Sequence, residues 1–382
     1  MPSPEALEPA ASPMSMEDSA RAKQYHRTRR ILGVAAFFLD ALVLIVLLTS
    51  GWSISLRAAA EHRAATPALA LLIYLFFFGL ITKVVGLPLD YARGFWLEHR
   101  YGLSNLALAG WVKDQLKGLA VGSALAAIGL ECLYGTMRLW PEHWWVISAT
   151  LFVAFFVLLA NLAPVLIFPL FFKFKPLENP ALTERLLELS RRAGTRVRGV
   201  FEWKLSEKSR KANAALVGLG NTRRIILADT LLERLNDDEV EAVLAHELGH
   251  HVHRHIAMNL TVQTGATYLG FFLVDVVLNR FSDSFGFREL ADFANLPLLV
   301  LAGTALSLVL LPAVNAFSRR MERQADAYAL HSIRDRSAFA SSMEKLAELN
   351  LAETQPPAWI EFIFHSHPSL EKRIAFARQF SE

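Results

Sequence analysis

Six long apolar runs constrain this chain more than any other feature. They cover residues 31–50, 68–89, 119–139, 144–172, 256–279 and 296–314. A run of about 18 or more apolar residues, wound as a helix, is long enough to cross the hydrocarbon core of a bilayer. No water is present there to satisfy backbone groups, so a spanning segment must satisfy them internally, as a helix does. A soluble protein with deeply buried helices is the competing reading, but it does not explain so many runs of this length. Hydrophobic residues make up 53% of the chain, and they collect in these runs rather than spreading evenly. The expected fold is mainly α: a polytopic transmembrane helical barrel or bundle of about six spans.

Charge placement orients it. Arg21, Lys23, Arg27, Arg29 and Arg30 precede the first run, Arg93, Arg100, Lys113 and Lys117 separate the second from the third, Lys173 and Lys175 follow the fourth, and Arg319, Arg320 and Arg323 follow the sixth. The opposite loops carry few cations. The positive-inside tendency therefore puts both termini in the cytosol, as an even number of spans requires. Residues 1–20 are rich in Pro, Ser and acids and lack the basic n-region of a secretory signal, so they read as a disordered tail. The formal net charge of +3 gives no reason to expect a nucleic-acid partner. Cys132 is the single cysteine, which excludes a disulfide framework and a cysteine-based metal site.

The chain then divides into the tail, spans one to four (21–172), a polar segment (173–255), spans five and six (256–314), and a second polar segment (315–382). The first polar segment reads as a Pro-bounded loop, an amphipathic helix in "ALTERLLELSRRAG", and a small sheet from "VRGVFEWKL", "NAALVGLG" and "RRIILAD". A second helix starts at Asn236 or Asp237. The second polar segment is helical, with breaks at "QPP" and "HSHP".

The chemistry lies in "AHELGHHVHRH", residues 245–255. His246 and His250 fall one turn apart on one helix face, where two imidazoles can share a zinc ion. Glu247 projects beside that face and can take a proton from water activated there. A catalytic zinc usually has a third protein ligand. His251, His253 and His255 are too close in sequence: on a continuing helix they point elsewhere or lie too far along. The spacing also departs from the pattern that places a glycine and a third histidine further on, since His253 and Ile256 stand at those positions. In "NAFSRRMERQADAYA", Glu322 would complete the site, and Asp326, one turn on, would accept a hydrogen bond from a ligand imidazole. Ordinary surface pairing with Arg319 and Arg323 fits the same spacing, and periodicity leaves both open.

Taken together, HELGH and "SRRMERQADAYA" resemble the integral-membrane zinc metalloproteases, the family of the type I CAAX prenyl protease and the bacterial membrane heat-shock protease. "GLPLDYARGFWLEHRYGLSN", "WVKDQLKG", "PVLIFPLFFKFKPLE", "NAALVGLGNTRRIILADTLLE" and "HPSLEKRI" are similar to the CAAX branch and occur in its order. The resemblance implies one Zn²⁺ per chain on His246, His250 and Glu322, with Glu247 as base and Asp326 behind the ligands. It implies a cytosolic, zincin-like α+β metalloprotease domain built from two separated segments. Asn213 would hold a peptide added to the sheet edge, His367 would stabilise the oxyanion, and Arg373 would support that corner. His367-Pro368 opening the last helix is the plainer reading of that dipeptide.

The family typically has seven spans, and this chain looks as if it starts at the second, so six helices would have to close its chamber. A wet chamber would also satisfy Asp40, Lys83, Glu131 and Asp275, which fall within the runs. The expected function is hydrolysis of peptide bonds near the C-terminus of prenylated proteins. Quality control of membrane proteins is the first alternative; transport or metal handling, which the extra histidines suit, is the second. The expected location is the bacterial inner membrane, or the endoplasmic reticulum if the chain is eukaryotic, although no C-terminal retention signal is present. The expected partners are the bilayer and a peptide or protein substrate; the oligomeric state is left open.

Overall fold

The computed structural model describes residues 15–218 and 223–380. In the first half, α1 (Met16–Thr49), α2 (Trp52–Arg63), α3 (Pro67–Tyr91), α4 (Leu97–Arg100), α5 (Leu108–Leu139), α6 (Trp144–Leu162) and α7 (Phe168–Phe171) follow one another. Next come β1 (Phe174–Pro176), α8 (Pro180–Arg192), β2 (Val200–Trp203), β3 (Ala214–Val217), β4 (Arg224–Ala228), α9 (Asp229–Leu232) and α10 (Asp237–Val252). The remainder is α11 (His255–Phe281), α12 (Leu296–Ser332), α13 (Arg336–Leu349), α14 (Ala358–Phe364) and α15 (Leu370–Gln379). Single π-helical turns at Ala92–Trp96 and Ala163–Ile167 join α3 to α4 and α6 to α7.

Among the described residues, six helices are long and apolar enough to cross a membrane: Met16–Thr49, Pro67–Arg100, Leu108–Leu139, Trp144–Phe171, His255–Phe281 and Phe293–Ser332. They pack in the order α1, α3, α5, α6, α11, α12, and α12 returns to α1. Among the described residues, these six close a ring. Few of their apolar residues are buried by protein, as expected of helices whose outward faces meet lipid. Polar groups within the spans partner one another. Lys83 Nζ donates to Asp90 (2.5 Å) and to Gln115 (3.0 Å), and Asp275 accepts from Trp144 Nε1 (2.6 Å). Asp40 lies beside Gly86, and one buried oxygen of Glu131 has no hydrogen-bond partner among the described residues.

At one end of the ring, α2 and the turn before α12 pack with Tyr74, Tyr134, Trp144 and Phe293 into a closed core. There Arg57 pairs with Asp292, both buried. The other end carries the polar segments. Their four-stranded sheet has the order β1-β2-β4-β3, which leaves β3 at an edge, paired with β4 on one side only. Leu186, Ile225, Leu231 and Leu244 from the first segment share a core with Ala329, Phe339 and Met343 from the second. The two halves therefore fold as one unit, although two spans separate them in sequence.

Three features differ from the sequence reading. The first helix begins at Met16, so the last residues of the stretch read as a tail are helical; residues 1–14 lie outside the described residues. Its start is set by Ser15, whose side chain caps the Asp18 N–H. The loop after span four contains β1, which pairs with β2 despite ending in Pro176, as an edge strand can. Finally, the HELGH helix does not continue into span five. Arg254 adopts a left-handed conformation (φ 56°), which ends α10 and starts α11 in a new direction. The turn expected between "NAALVGLG" and "RRIILAD" falls on residues 219–222, outside the described residues.

Candidate active site

Helix α10 starts where its sequence says it should. The Asn236 side chain accepts from the Glu239 N–H, and the Glu239 carboxylate accepts from the Asn236 N–H, a reciprocal capping box. The helix is then buried from Val240 to Gly249 except at half-buried Glu247, and Gly249 lets it touch α12: a Cβ there would sit 2.8 Å from the Cα of Ala325. This close approach brings the His246/His250 face of one helix against the Glu322/Asp326 face of the other.

Three ligand-type groups converge as a result. His246 Nε2 lies 3.3 Å from His250 Nε2 and 3.3 Å from a Glu322 oxygen, and His250 Nε2 lies 3.4 Å from the other Glu322 oxygen. Bonds of about 2.0–2.1 Å in a tetrahedral site put neighbouring ligand atoms roughly 3.3 Å apart. The three groups thus converge at about the spacing that such coordination needs, each histidine facing a different oxygen of Glu322. Glu322 Oε2 is also buried with no hydrogen-bond partner among the described residues, a costly state that a cation would relieve. On both counts the residues fit a metal ion.

The groups behind them fix which nitrogens face inward. Asp326 Oδ1 lies 2.8 Å from His246 Nδ1, so in the neutral imidazole Nδ1 carries the hydrogen and Nε2 keeps its lone pair. Asp326 is held in turn by both arms of Arg373, at 2.6 and 2.9 Å. Behind His250, the Gln324 amide oxygen accepts from His255 Nε2 (3.0 Å), which leaves His255 Nδ1 as an acceptor. His250 Nδ1 stands 3.0 Å from it and must donate, so His250 Nε2 also presents a lone pair. The helix break at Arg254 makes this contact: it folds His255 back onto His250.

Electrostatics separate the two histidines. Burial opposes charge on His246, but the Asp326 and Glu322 carboxylates outweigh it and push the imidazole up to about 9. Burial and the neighbouring His246 charge push His250 down to about 4. Burial also raises the carboxyl of Glu247, against the pull of His246. A group lifted in this way binds a proton more readily near neutral pH, as a general base must.

Glu247 and His246 form one wall of a cavity of about 300 Å³, which is also lined by Asn213, Met343, Leu346 and His367. Asn213 precedes the edge strand β3. Its side chain is exposed and has no hydrogen-bond partner among the described residues. His367 Nε2 is 3.2 Å from Glu322, and its Nδ1 lies 2.8 Å from Ser366 Oγ. The structure thus brings together all eight residues singled out from sequence. Sequence reasoning missed His255 and Gln324, and also Asn350, whose amide bonds both backbone groups of Ala212 at the start of the edge. His255 and Gln324 lie inside the two quoted stretches, but His255 was set aside there as a ligand and Gln324 carries no ligand-type group; Asn350 lies outside every quoted stretch.

Comparison with known proteins agrees with this geometry. Residues 176–381 match the model of Peptidase family M48, and residues 3–173 match the CAAX prenyl protease N-terminal model, described as five membrane helices. The chain belongs to Peptidase family M48. It is a membrane-embedded metallopeptidase of the CAAX prenyl protease type, with a catalytic metal and a peptide or protein substrate. Among the described residues, the N-terminal region holds four helices of spanning length. An uncharacterized metalloprotease of Bacillus subtilis, YhfN, is 32% identical over 97% of this chain and 87% of its own length. CAAX prenyl protease 1 of Saccharomyces cerevisiae is 30% identical over 84% of this chain and 74% of its own. The crystal structure of S. mikatae Ste24p shares the fold, with a TM-score of 0.86 at 24% identity, covering 99% of this chain and 92% of that one.

Proposed function

We propose that this metallopeptidase is a zinc endopeptidase that cleaves near the C-terminus of prenylated proteins, with one zinc per chain held by His246, His250 and Glu322. The observation that carries this reading is the convergence of the two imidazole nitrogens and the Glu322 carboxylate, close enough to share one ion, with Glu247 beside them. Bound there, zinc would supply Lewis acidity to the attacking water and the scissile carbonyl. Glu247 takes the proton from that water and returns it to the leaving amine. His367 donates from Nε2 to the developing oxyanion, with the Ser366 hydroxyl turned to its Nδ1. The extended substrate adds to β3, and Asn213 holds its backbone at the start of that edge. Asp326 and Arg373 keep His246 in the orientation that ligation needs.

Prenylated C-a-a-X substrates are proposed from the names of the relatives together with the membrane ring. The positive-inside distribution supports an active site and both termini on the cytosolic side, in a bacterial inner membrane or the endoplasmic reticulum. The test is cleavage of a farnesylated C-a-a-X peptide beside its unprenylated form, by purified protein with and without a chelator. Chelator-sensitive cleavage that needs the prenyl group is expected. Equal cleavage of both peptides would replace this substrate class with general quality control.

A further inference from the structure

The segment from Leu351 to Phe364 is tied to the ring at two places. On one side, Arg30 pairs with Glu353 (2.5 Å) and His26 Nε2 bonds the Leu351 carbonyl (2.9 Å). On the other, Asn315 donates to the Ile363 carbonyl (2.6 Å), and Arg319 donates to the carbonyls of Glu361, Phe362 and His365 (3.0, 3.1 and 2.6 Å). Arg30 is the last residue before the apolar run of α1, and Asn315 the first after that of α12. At 1.5 Å per residue, Arg319 stands about 7–8 Å beyond the end of its run. The headgroup layer on each side of the hydrocarbon is roughly 5–8 Å thick. The tethers therefore set α14 at the level where hydrocarbon meets water, across the ends of the first and last spans.

At that level α14 exposes three aromatic rings: Trp359 (62%), Phe362 (57%) and Phe364 (53%). Ile360 is buried and holds the helix to the protein, so the rings are not displaced core residues. Arg320 and Arg323 are exposed on the adjoining turns of α12, where anionic headgroups would meet them. Trp and other amphipathic rings gather at this depth in membrane proteins.

We propose that α14 is an interfacial anchor, not a spanning element, with the rings of Trp359, Phe362 and Phe364 inserted among lipid headgroups and upper acyl chains. The occupant of this surface is the bilayer, continuous with the lipid around α1 and α12. Three residues after α14 the chain reaches His367, so the anchor holds the arm that presents this histidine to the site. This proposal does not depend on the metal or on the substrate.

The test uses the full chain in lipid nanodiscs. In a Cys132→Ser background, Trp359→Cys and Phe362→Cys are labelled with a polarity-sensitive fluorophore, and Glu188→Cys on the exposed face of α8 serves as the aqueous reference. Lipids spin-labelled high on the acyl chain are expected to quench positions 359 and 362 several-fold more than 188, with iodide showing the reverse order. Iodide quenching at 359 and 362 equal to that at 188, with no lipid effect, would overturn the proposal and turn these rings toward water, in the chamber or the cytosol. Both positions are exposed, so neither substitution opens the core, and an unchanged size-exclusion profile and melting temperature check that each variant is folded.

Discussion

His250 Nδ1 lies 3.0 Å from His255 Nδ1, and His255 is held through its other nitrogen by Gln324. Two neutral imidazoles can bond this way only if one donates and the other accepts, and the Gln324 oxygen decides which. Removing partners behind a ligand histidine typically costs about 10–100-fold in metal affinity. His255→Ala and Gln324→Leu are each expected to lose that much in a zinc competition titration, with Gln324→Glu, which keeps the acceptor, close to the parent. A His251→Ala control should stay unchanged. Undiminished affinity in both His255→Ala and Gln324→Leu would remove this chain of contacts from the account.

Gly249 sets the distance between the two helices that carry the ligands. A methyl group added there meets the Ala325 backbone at 2.8 Å, and backbone cannot rotate away. Gly249→Ala should cost about 1–3 kcal/mol of stability, the usual range for overpacking. It should also weaken metal binding by separating Glu322 from the histidines. Thermal unfolding and zinc competition on the same preparation check the two effects.

Metal uptake should depend on pH through His246. Without metal its imidazole is pushed up to about 9, and a ligand must give up its proton. Zinc affinity should therefore rise about tenfold per pH unit up to roughly 9 and level off above. The metal-free fold shows the opposite trend. A raised pKa stabilises it fully below the unfolded value near 6.5, and that contribution is lost as pH rises through about 9. Affinities and metal-free melting temperatures across pH 6 to 10 would show whether the two curves cross.

At the far end of the ring, Asp292 holds buried Arg57 and also accepts from the backbone of Arg288 and Ala294. Asp292→Ala leaves an unpaired buried cation, which typically costs about 3–5 kcal/mol. The melting temperature in detergent should fall accordingly. Arg57→Met/Asp292→Leu should recover part of the loss, because it leaves no lone charge.

The spans were legible because bilayer thickness sets a minimum apolar length, and runs such as 144–172 have no soluble use. The cap at Asn236 and the placement of His246 and His250 followed from local rules of helix geometry. The proximity of Glu322 to the histidines did not: residues more than seventy positions apart meet because Gly249 fits against Ala325, and helix spacing left ligation and surface pairing equally open until the family resemblance was added. The helix break at Arg254 was not legible either. A residue with a full side chain in a left-handed conformation is held there by tertiary packing, and local propensity argues against it. His255 was therefore misplaced on a continuing helix face. Helix α2 and strand β1 were missed because each is short and takes its stability from neighbours.

The most direct test of the central claim is Glu247→Gln, assayed for both zinc content and cleavage of a farnesylated C-a-a-X peptide. The account predicts one zinc per chain, as in the parent, and loss of hydrolysis by orders of magnitude, because the ligands remain and the proton acceptor is gone. Zinc retained with cleavage at the parent's rate would contradict it.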